Sequence, residues 1–290
     1  MAPRPLDHLV LPVTDIQTAR TRLAALGFTV AADSRHPFGT ENACVYFADK
    51  SYLEPLGVAS EDETRATAKA GNQFTARNAA FRFRNGPEGL SSIAFGTENA
   101  EADHEHFRKE GISGGDILEF SRVMKLPDGT EIVPTFRLAF AADLRSPDFH
   151  GFTCQRINVP SVDRSALEKH ANGVTGIKSV VLTEPYPMDF ADYLKEVIGQ
   201  QGISWSNDGL TVTTASAAIE VLNAHGARDF FGIELGPERG LRGRAVVFRV
   251  SDLTATETLF GVNGITFNRH NHMLLVPHEA GQGVLFAFAE

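Results

Sequence analysis

One histidine is distinctive because its position in the chain recurs three more times with other residue types. Four segments share a plan in which an apolar strand leads into a helix and a glycine ends that helix; they begin LDHLVLPVTD, LSSIAFGTEN, IKSVVLTEP and RAVVFRVSD. Aligning these segments puts the following residues at one inward strand position: His8, Ser92, Ser179 and Ala245. Only the His8 imidazole is a good metal ligand. The sequence therefore predicts chemistry in the first copy that the others do not repeat.

Equal spacings support this alignment. The matched steps are 19 residues from His8 to Gly27 and from Ser92 to Gly111, and 41 residues from Ser179 to Glu220 and from Ala245 to Phe286. A repeated supersecondary unit implies that the units pair and bury one another's faces. Four copies therefore predict two pairs.

Each copy predicts a strand, a helix and three further strands. In the first copy, residues 6–13 form an apolar strand, and Thr14 and Asp15 are suitable N-cap residues for a helix over 16–26. Strands follow over 42–48 and 52–57. A charged, helix-prone insertion at 59–71 is expected to bridge the first two units on the surface.

The chain is expected to divide into two domains. Residues 159–173 are rich in Pro, Ser, Asp and Gly without a strand period, which is typical of a linker. We therefore predict domains over residues 1–158 and 174–290.

Composition favours a small-molecule partner. The net charge is -9, and Lys and Arg are scattered, which disfavours binding to nucleic acid or to an anionic membrane surface. No stretch approaches the roughly 18 apolar residues of a membrane helix, and the N-terminus lacks a signal pattern. We expect a cytoplasmic protein that is a monomer or a homodimer, with Cys44 and Cys154 buried as small hydrophobes.

The repeated unit, with His in its first strand and Glu in its last, resembles the vicinal oxygen chelate superfamily. That superfamily includes glyoxalases, bleomycin-resistance proteins and extradiol dioxygenases. The resemblance is closer to its glyoxalase-like branch, through LDHLVLPV, HPFGTENACVYF, SYLEPLGV, and FTCQR followed by HANG. It implies an α+β chain of two tandem domains built from four βαβββ units. Each pair of units would form a curved mixed sheet that opens as a cup.

The resemblance also implies ligand positions on the first and last strands of each unit. They are His8, Glu54, Ser92 and Gln155 in the first cup, and Ser179, Glu220, Ala245 and Phe286 in the second. His8, Glu54 and Gln155 would hold one divalent ion, with Zn, Mn, Fe or Ni suited to this mixed nitrogen and oxygen set. The family more often has His or Glu where Gln155 and Ser92 stand. The alternative is a site without metal in which Arg156 supplies the positive charge. The second cup cannot complete a coordination shell, so we expect it to be structural.

Further residues are expected around the first cup. Glu54 or His36 would move a proton as the catalytic group. The substrate-binding candidates are Asn42, Tyr46, Arg122, Arg137 and Arg156, together with His170 and Asn172 of the HANG motif, which would close over the cup from the linker.

Three functions follow from these features. The first is a glyoxalase-like enzyme, a metal-assisted isomerase or lyase that acts on a small oxygen-rich molecule in the first cup. The second is a non-catalytic protein that sequesters such a molecule, and the third is a scaffold that keeps only the fold. An extradiol dioxygenase is less favoured, because those enzymes usually keep two His and one Glu in the second pair.

Overall fold

The computed structural model describes residues 2–125, 130–159 and 163–290. The first half contains β1 Leu6–Pro12, α1 Ile16–Ala25, β2 Ser34–Arg35, β3 Thr40–Asn42, β4 Val45–Tyr46, β5 Tyr52–Val58, α2 Glu61–Lys69, α3 Gln73–Asn85, β6 Ser92–Thr97, α4 Ala100–Lys109, β7 Leu118–Ser121, β8 Met124–Lys125, β9 Glu131–Ile132, β10 Thr135–Ala141 and β11 His150–Ile157.

The second half repeats this plan after the linker. It contains β12 Val174–Thr183, a short 3-10 helix Pro187–Phe190, α5 Ala191–Ile198, β13 Ser204–Ser206, β14 Gly209–Thr213, β15 Ala218–Leu222, α6 Ala224–Phe231, β16 Arg242–Val250, α7 Leu253–Val262, β17 Asn268–His270, β18 Met273–Val276 and β19 Leu285–Ala289.

Two curved mixed sheets form the molecule. The first has the strand order β2-β3-β5-β1-β6-β11-β10-β7, with β4 paired to β5, and the second has the order β13-β14-β15-β12-β16-β19-β18-β17. β8 and β9 form a separate small ribbon. In each sheet the first strands of two units lie side by side at the centre, so two units build one sheet. The predicted α+β class with paired βαβββ units is confirmed.

Local sequence explains the first helix. The Asp15 side chain accepts a hydrogen bond from the Thr18 amide at 2.7 Å, which caps one of the free N–H groups at the helix start. Ile16, Ala19 and Leu23 are buried on one face of α1. The predicted helix over 16–26 is therefore present and ends at Ala25.

Strand pairing supports the alignment of the first strands. His8 lies opposite Ala94, and Val10 lies opposite Ser92, so His8 and Ser92 occupy equivalent positions. In the second sheet the two matching pairs are Ser179 with Val247 and Val181 with Ala245.

The last strands of the second and fourth units are shifted from our sequence alignment, by three residues in the second unit and by one residue in the fourth. Glu54 is the partner of Val10, and the equivalent partner of Ala94 is Phe152, not Gln155. In the second sheet the equivalent partner of Val247 is Ala287, not Phe286. Because side chains alternate between the two faces of a strand, an offset of an odd number of residues turns Gln155 and Phe286 away from the cups.

The two cups are separate, but the faces behind them share one core. One apolar cluster joins Phe28 and Phe47 of the first half to Phe248 and Phe286 of the second. Helices of both halves contribute to this cluster, whereas each cup has an apolar cluster of its own. Domain boundaries at 158 and 174 stay a prediction; residues 160–162 of the predicted linker lie outside the described residues.

The insertion between the first two units is helical, as expected. α2 covers the predicted segment and buries none of its side chains, while α3 buries Phe74 and Phe81. Phe74 belongs to the apolar cluster of the first cup, so α3 covers that cup. In the described parts of the chain, no helix combines the length and the apolar character needed to span a membrane.

Candidate functional site

The concave face of the first sheet encloses a small cavity of about 30 Å³. This volume has room for about two water molecules. Its polar lining residues are His8, His36, Asn42, Glu54 and Arg122. Its other lining residues, most of them aromatic, are Phe38, Cys44, Tyr52, Phe74, Phe120, Phe136, Leu138, Phe152 and Cys154. The structure therefore brings five of the predicted site residues together at one small cavity.

Glu54 lies at the centre of this polar group. Its side chain is buried, with 4 % of the residue exposed, and the Asn42 amide donates to its Oε1 at 2.6 Å. His8 Nε2 lies 3.4 Å from Glu54 Oε2, and His36 Nε2 lies 3.6 Å from Oε1. A buried carboxylate requires such polar partners, because burial of an unpaired charge is very costly.

Asp7 fixes the orientation of His8. His8 Nδ1 lies 2.6 Å from Asp7 Oδ1, so Nδ1–H donates to that carboxylate and Nε2 is left facing Glu54. The imidazole also stacks on Tyr52 with 4.5 Å between ring centroids. Burial alone would raise the pKa of Asp7, but the Arg156 guanidinium and the His8 hydrogen bond outweigh it and lower this pKa to about 2.

Arg156 neutralises Asp7 and does not contact Glu54. Its two terminal nitrogens donate to the two carboxylate oxygens of Asp7, and its guanidinium lies over the Tyr52 ring, 5.8 Å from the centroid. We expected Arg156 to bind substrate or to replace a metal charge. In the structure its guanidinium instead pairs with Asp7, which holds His8, and Arg156 does not line the cavity.

His36 is a neutral imidazole at neutral pH. Burial lowers its pKa to about 4, despite the opposing influence of Glu54. Its Nδ1 lies 2.9 Å from Thr40 Oγ1, and its ring stacks on Phe38 at 4.9 Å. These contacts hold Nε2 toward Glu54.

Arg122 brings a positive charge to the cavity. Its Nη1 donates to Ser34 Oγ at 2.7 Å, and its guanidinium lies 5.4 Å from the centroid of Phe136. Within the described residues its Nε is buried without a hydrogen-bond partner. A guanidinium with a free donor suits an oxygen-bearing ligand.

The two cysteines near the cavity are protonated thiols. Cys44 and Cys154 are buried and free, as expected. Burial raises the pKa of each thiol to about 12. Neither thiol is therefore a nucleophile at neutral pH.

The donor set falls short of a divalent metal site. His8 and Glu54 converge, but Gln155 points to the opposite face of the sheet, where Oε1 accepts from the Ala100 amide at 3.2 Å and Nε2 donates to the Glu98 carbonyl at 2.7 Å. Within residues 2–125, 130–159 and 163–290, no three His, Cys, Asp or Glu side chains are placed to hold a metal ion together. Protein metal sites usually have at least three protein ligands, so the residues present do not fit the expected ion.

Two further candidates lie outside the cavity. Arg137 projects from the other face of β10 and pairs with Glu119 and Glu101. The Tyr46 ring contacts the Tyr52 ring at 5.3 Å and lies under the Arg164 guanidinium, but it does not line the cavity.

His170 and Asn172 fasten the linker to the first half of the chain and do not close the cup. His170 Nδ1 accepts from the Thr29 amide at 3.0 Å, and its Nε2 donates to the Tyr46 carbonyl at 2.9 Å. The Asn172 amide donates to the Leu26 carbonyl at 2.8 Å. Their observed contacts are those of structural residues.

Sequence reasoning missed several contributors. Asp7 was overlooked although it is adjacent to His8, and a carboxylate beside an inward histidine is a recognisable signal for orientation. Phe74, Phe120 and Phe136 reach the cavity from an inserted helix and from the outer strands. Alternation along β7 and β10 could have indicated Phe120 and Phe136, but no local signal places α3 over the cup.

Two curved sheets, each made from two βαβββ units and each opening as a cup, define a protein of the vicinal oxygen chelate superfamily. Residues 6–198 match the glyoxalase-like domain family, and the chain belongs to that family.

Solved structures share the fold at low sequence identity. A hypothetical protein from Staphylococcus aureus aligns with a TM-score of 0.67 and 12 % identity, covering 98 % of each chain. A mutant of 4-hydroxymandelate synthase from Streptomyces coelicolor gives 0.62 and 11 %, covering 99 % of this chain and 92 % of the other. The Mn(II)-bound glyoxalase from Novosphingobium aromaticivorans gives 0.53 and 13 %, covering 99 % and 82 %. No curated protein matches the sequence.

Proposed function

We propose that the first cup binds a small oxygen-rich molecule and that Glu54 acts there as a general base, in an isomerase or lyase reaction of the glyoxalase-like type. The observation that carries this proposal is the position of Glu54. Its carboxylate is buried, held by Asn42 and flanked by the Nε2 atoms of two imidazoles at 3.4 and 3.6 Å. A carboxylate in such a protected site is suited to proton transfer.

The chemistry follows from the groups that face the cavity. Glu54 accepts a proton from a carbon next to a carbonyl, and the electron pair of the broken C–H bond moves to the carbonyl oxygen. The Arg122 guanidinium stabilises the resulting oxyanion. Where the carbon that lost its proton carries a hydroxyl, return of the proton to the former carbonyl carbon, with transfer of the hydroxyl proton to the oxyanion, completes an isomerisation. Where the carbon beyond it carries a leaving group, the carbonyl re-forms, a C=C bond forms and the group departs with its bonding electron pair, which completes a lyase reaction. Neutral His36 and His8, which is oriented by Asp7, are placed to exchange protons with Glu54.

The aromatic lining has two consequences for this reaction. Rings on several sides exclude water, which strengthens the electrostatic interactions within the cavity. The cavity of about 30 Å³ is also smaller than an organic substrate, so binding requires the rings of Phe74 or Phe120 to move.

The proposal is tested by deuterium exchange followed by proton NMR in D₂O, with hydroxyacetone, pyruvate and phenylpyruvate as probes. We expect the protein to accelerate loss of the signal from the hydrogens next to the carbonyl. Glu54→Gln should slow this exchange by a factor of 10² or more. Glu119→Gln, on the other face of the same sheet, is the matched control and should exchange as the native protein does. Equal exchange rates in Glu54→Gln and native protein would contradict the role of Glu54.

Chelation separates this mechanism from the metal-assisted one. Because the proposed proton transfer uses protein groups alone, exchange should persist after dialysis against EDTA. Loss of exchange that Mn²⁺ restores would overturn the metal-free mechanism and favour an ion held by His8 and Glu54.

A second candidate function is sequestration without catalysis, which the aromatic enclosure of the cavity favours. This function predicts that a phenolic or aryl oxo-acid ligand raises the melting temperature and is recovered unchanged. It also predicts no exchange in D₂O with any probe, and this separates it from the enzymatic proposal.

A further inference from the structure

A second and much wider cavity lies in the cup that we expected to be structural. Its volume is about 660 Å³, against about 30 Å³ in the first cup. This volume falls in the range of small-molecule sites, about 300–1,000 Å³. Ser179 and Glu220 lie among the β-strand residues that line it, and Phe230, Phe231 and Met273 line it as well.

Strand register makes Ser179 and Glu220 the counterparts of His8 and Glu54. In the first sheet Glu54 is the partner of Val10, two residues beyond His8. In the second sheet Glu220 is the partner of Val181, two residues beyond Ser179. The same register that brings His8 to Glu54 therefore places a hydroxyl and a carboxylate on the inner face of the second cup.

Both of these polar side chains lack a protein partner. Ser179 is only 3 % exposed, and in the described parts of the chain neither its hydroxyl nor the Glu220 carboxylate has a hydrogen bond or an ion pair. The cationic side chains that also line the cavity already have partners. Arg269 pairs with Glu257, and Lys178 Nζ donates to the Glu290 carbonyl at 2.7 Å. The second cup thus holds a carboxylate whose charge no contacting side chain neutralises.

One wall of the cavity is aromatic because of how α6 is anchored. The Asn223 side chain accepts from the His225 and Gly226 amides at 2.9 and 3.0 Å and caps the helix start. At the other end of α6, Phe230 and Phe231 line the cavity. Aromatic faces attract cations, and burial of a ligand's apolar body against these rings is favourable.

We propose that the second cup binds a small organic amine, with its ammonium group on Glu220 and Ser179 and its apolar body against Phe230, Phe231 and Met273. The charge of the ammonium matches the unpaired carboxylate, and the Ser179 hydroxyl accepts one of its hydrogens. This site is independent of the proton transfer proposed for the first cup. It replaces our sequence-based expectation that the second domain is structural only.

Isothermal titration calorimetry of the full chain tests this site, with phenethylamine as the probe and phenylacetate as its anionic comparison. We expect phenethylamine to bind at least tenfold more tightly than phenylacetate. Glu220→Gln should weaken phenethylamine binding at least tenfold, because a hydrogen bond to a charged group is lost. Glu234→Gln removes a charge from the exposed pair with Arg228 and should bind like the native protein.

A steric variant provides a second measurement. Ala218→Phe adds a ring at a residue that lines the cavity and should reduce phenethylamine binding at least tenfold. No binding of phenethylamine at millimolar concentration would overturn the proposal. So would equal binding by the native protein and Glu220→Gln, or binding of phenylacetate as tight as that of phenethylamine.

Discussion

Arg137 on β10 and Arg156 on β11 have side chains of similar exposure, 32 % and 34 %, but their carboxylate partners differ in burial. Arg156 makes a two-pronged pair with Asp7, whose side chain is 5 % exposed, whereas Arg137 pairs with the exposed carboxylates of Glu119 and Glu101. Removing one partner of a buried pair leaves the other charge uncompensated, while an exposed pair is screened by water.

Arg156→Met should therefore lower the free energy of unfolding by about 1–3 kcal/mol, because the buried Asp7 carboxylate loses its charged partner. Arg137→Met, the matched control, should lower it by less than about 1 kcal/mol. Urea unfolding of both variants measures the difference. Similar losses in the two variants would show that the Asp7 carboxylate is not buried in solution.

His150 makes stability depend on pH. It is buried on β11 between Phe140 and Phe152, its Nε2 has no partner among the described residues, and burial together with the nearby Arg77 charge lowers its pKa well below the usual value. As the pH falls below about 6.5, His150 therefore takes up a proton in the unfolded chain. In the folded chain it stays neutral at the same pH.

The contribution of neutral His150 to the free energy of unfolding is fully present above about pH 6.5. It is lost as the pH falls, by up to about 1.4 kcal/mol per pH unit. His150→Phe removes the titrating group and should give a shallower decline of stability between pH 6.5 and 5. Urea unfolding at several pH values compares the two slopes. Equal slopes would contradict the proposed cost of charging His150.

Helix α3 covers the first cup with one face and presents the other face to solvent. Phe74 and Phe81 lie seven residues apart, two helical turns, and both are buried. Phe83, on the opposite face, is 92 % exposed. Arg82 near the helix end donates to the carbonyls of Leu56 and Val13 and holds α3 against the sheet.

Phe74→Ala should destabilise the protein by about 3 kcal/mol, because it removes a buried ring and leaves a cavity. It should also open the first cup and speed deuterium exchange between bound probe and solvent. Phe83→Ala, on the same helix, should change stability by less than about 0.5 kcal/mol. A stability loss in Phe74→Ala no larger than in Phe83→Ala would show that α3 does not seal the cup.

The two halves of the molecule pack as one body. Tyr193 on α5, in the second half, donates to the Ala141 carbonyl at 3.0 Å and accepts from the Gly151 amide at 2.9 Å, both in the first half. The Thr256 hydroxyl on α7 donates to the Asn172 carbonyl at 2.8 Å. These bonds accompany the apolar cluster that both halves share.

We therefore expect a single cooperative thermal transition for the full chain, with equal calorimetric and van't Hoff enthalpies. Tyr193→Phe leaves the buried Gly151 amide without its acceptor and should cost about 1–3 kcal/mol while the transition stays single. Differential scanning calorimetry measures both effects. Two separate transitions in the native protein would contradict a shared core.

Local patterns in the sequence were sufficient to predict the repeated units and about half of the residues of the first site. The apolar strand followed by a capped helix predicted β1 and α1, and the repeat correctly aligned His8 with Ser92. These features depend on residues close together in the chain, where alternation and capping act directly. His8, His36, Asn42, Glu54 and Arg122 were also identified, and all five line the first cavity.

The remaining assignments depended on contacts between distant segments. An offset of three residues from the sequence alignment, which no local pattern reveals, turned Gln155 toward α4 and left Phe152 in the cup. Pairing with Asp7, across the sheet, removed Arg156 from the substrate side.

The sequence by itself determined that four similar units exist and that only the first carries a histidine at the inward position of its first strand, because these properties belong to single strands. Only the tertiary structure decided how large each cup is. The first is narrowed by α3 and aromatic rings to about 30 Å³, and the second stays wide at about 660 Å³ around Ser179 and Glu220. Cavity size depends on which distant side chains fill the concave face of a sheet, and no local pattern encodes that packing.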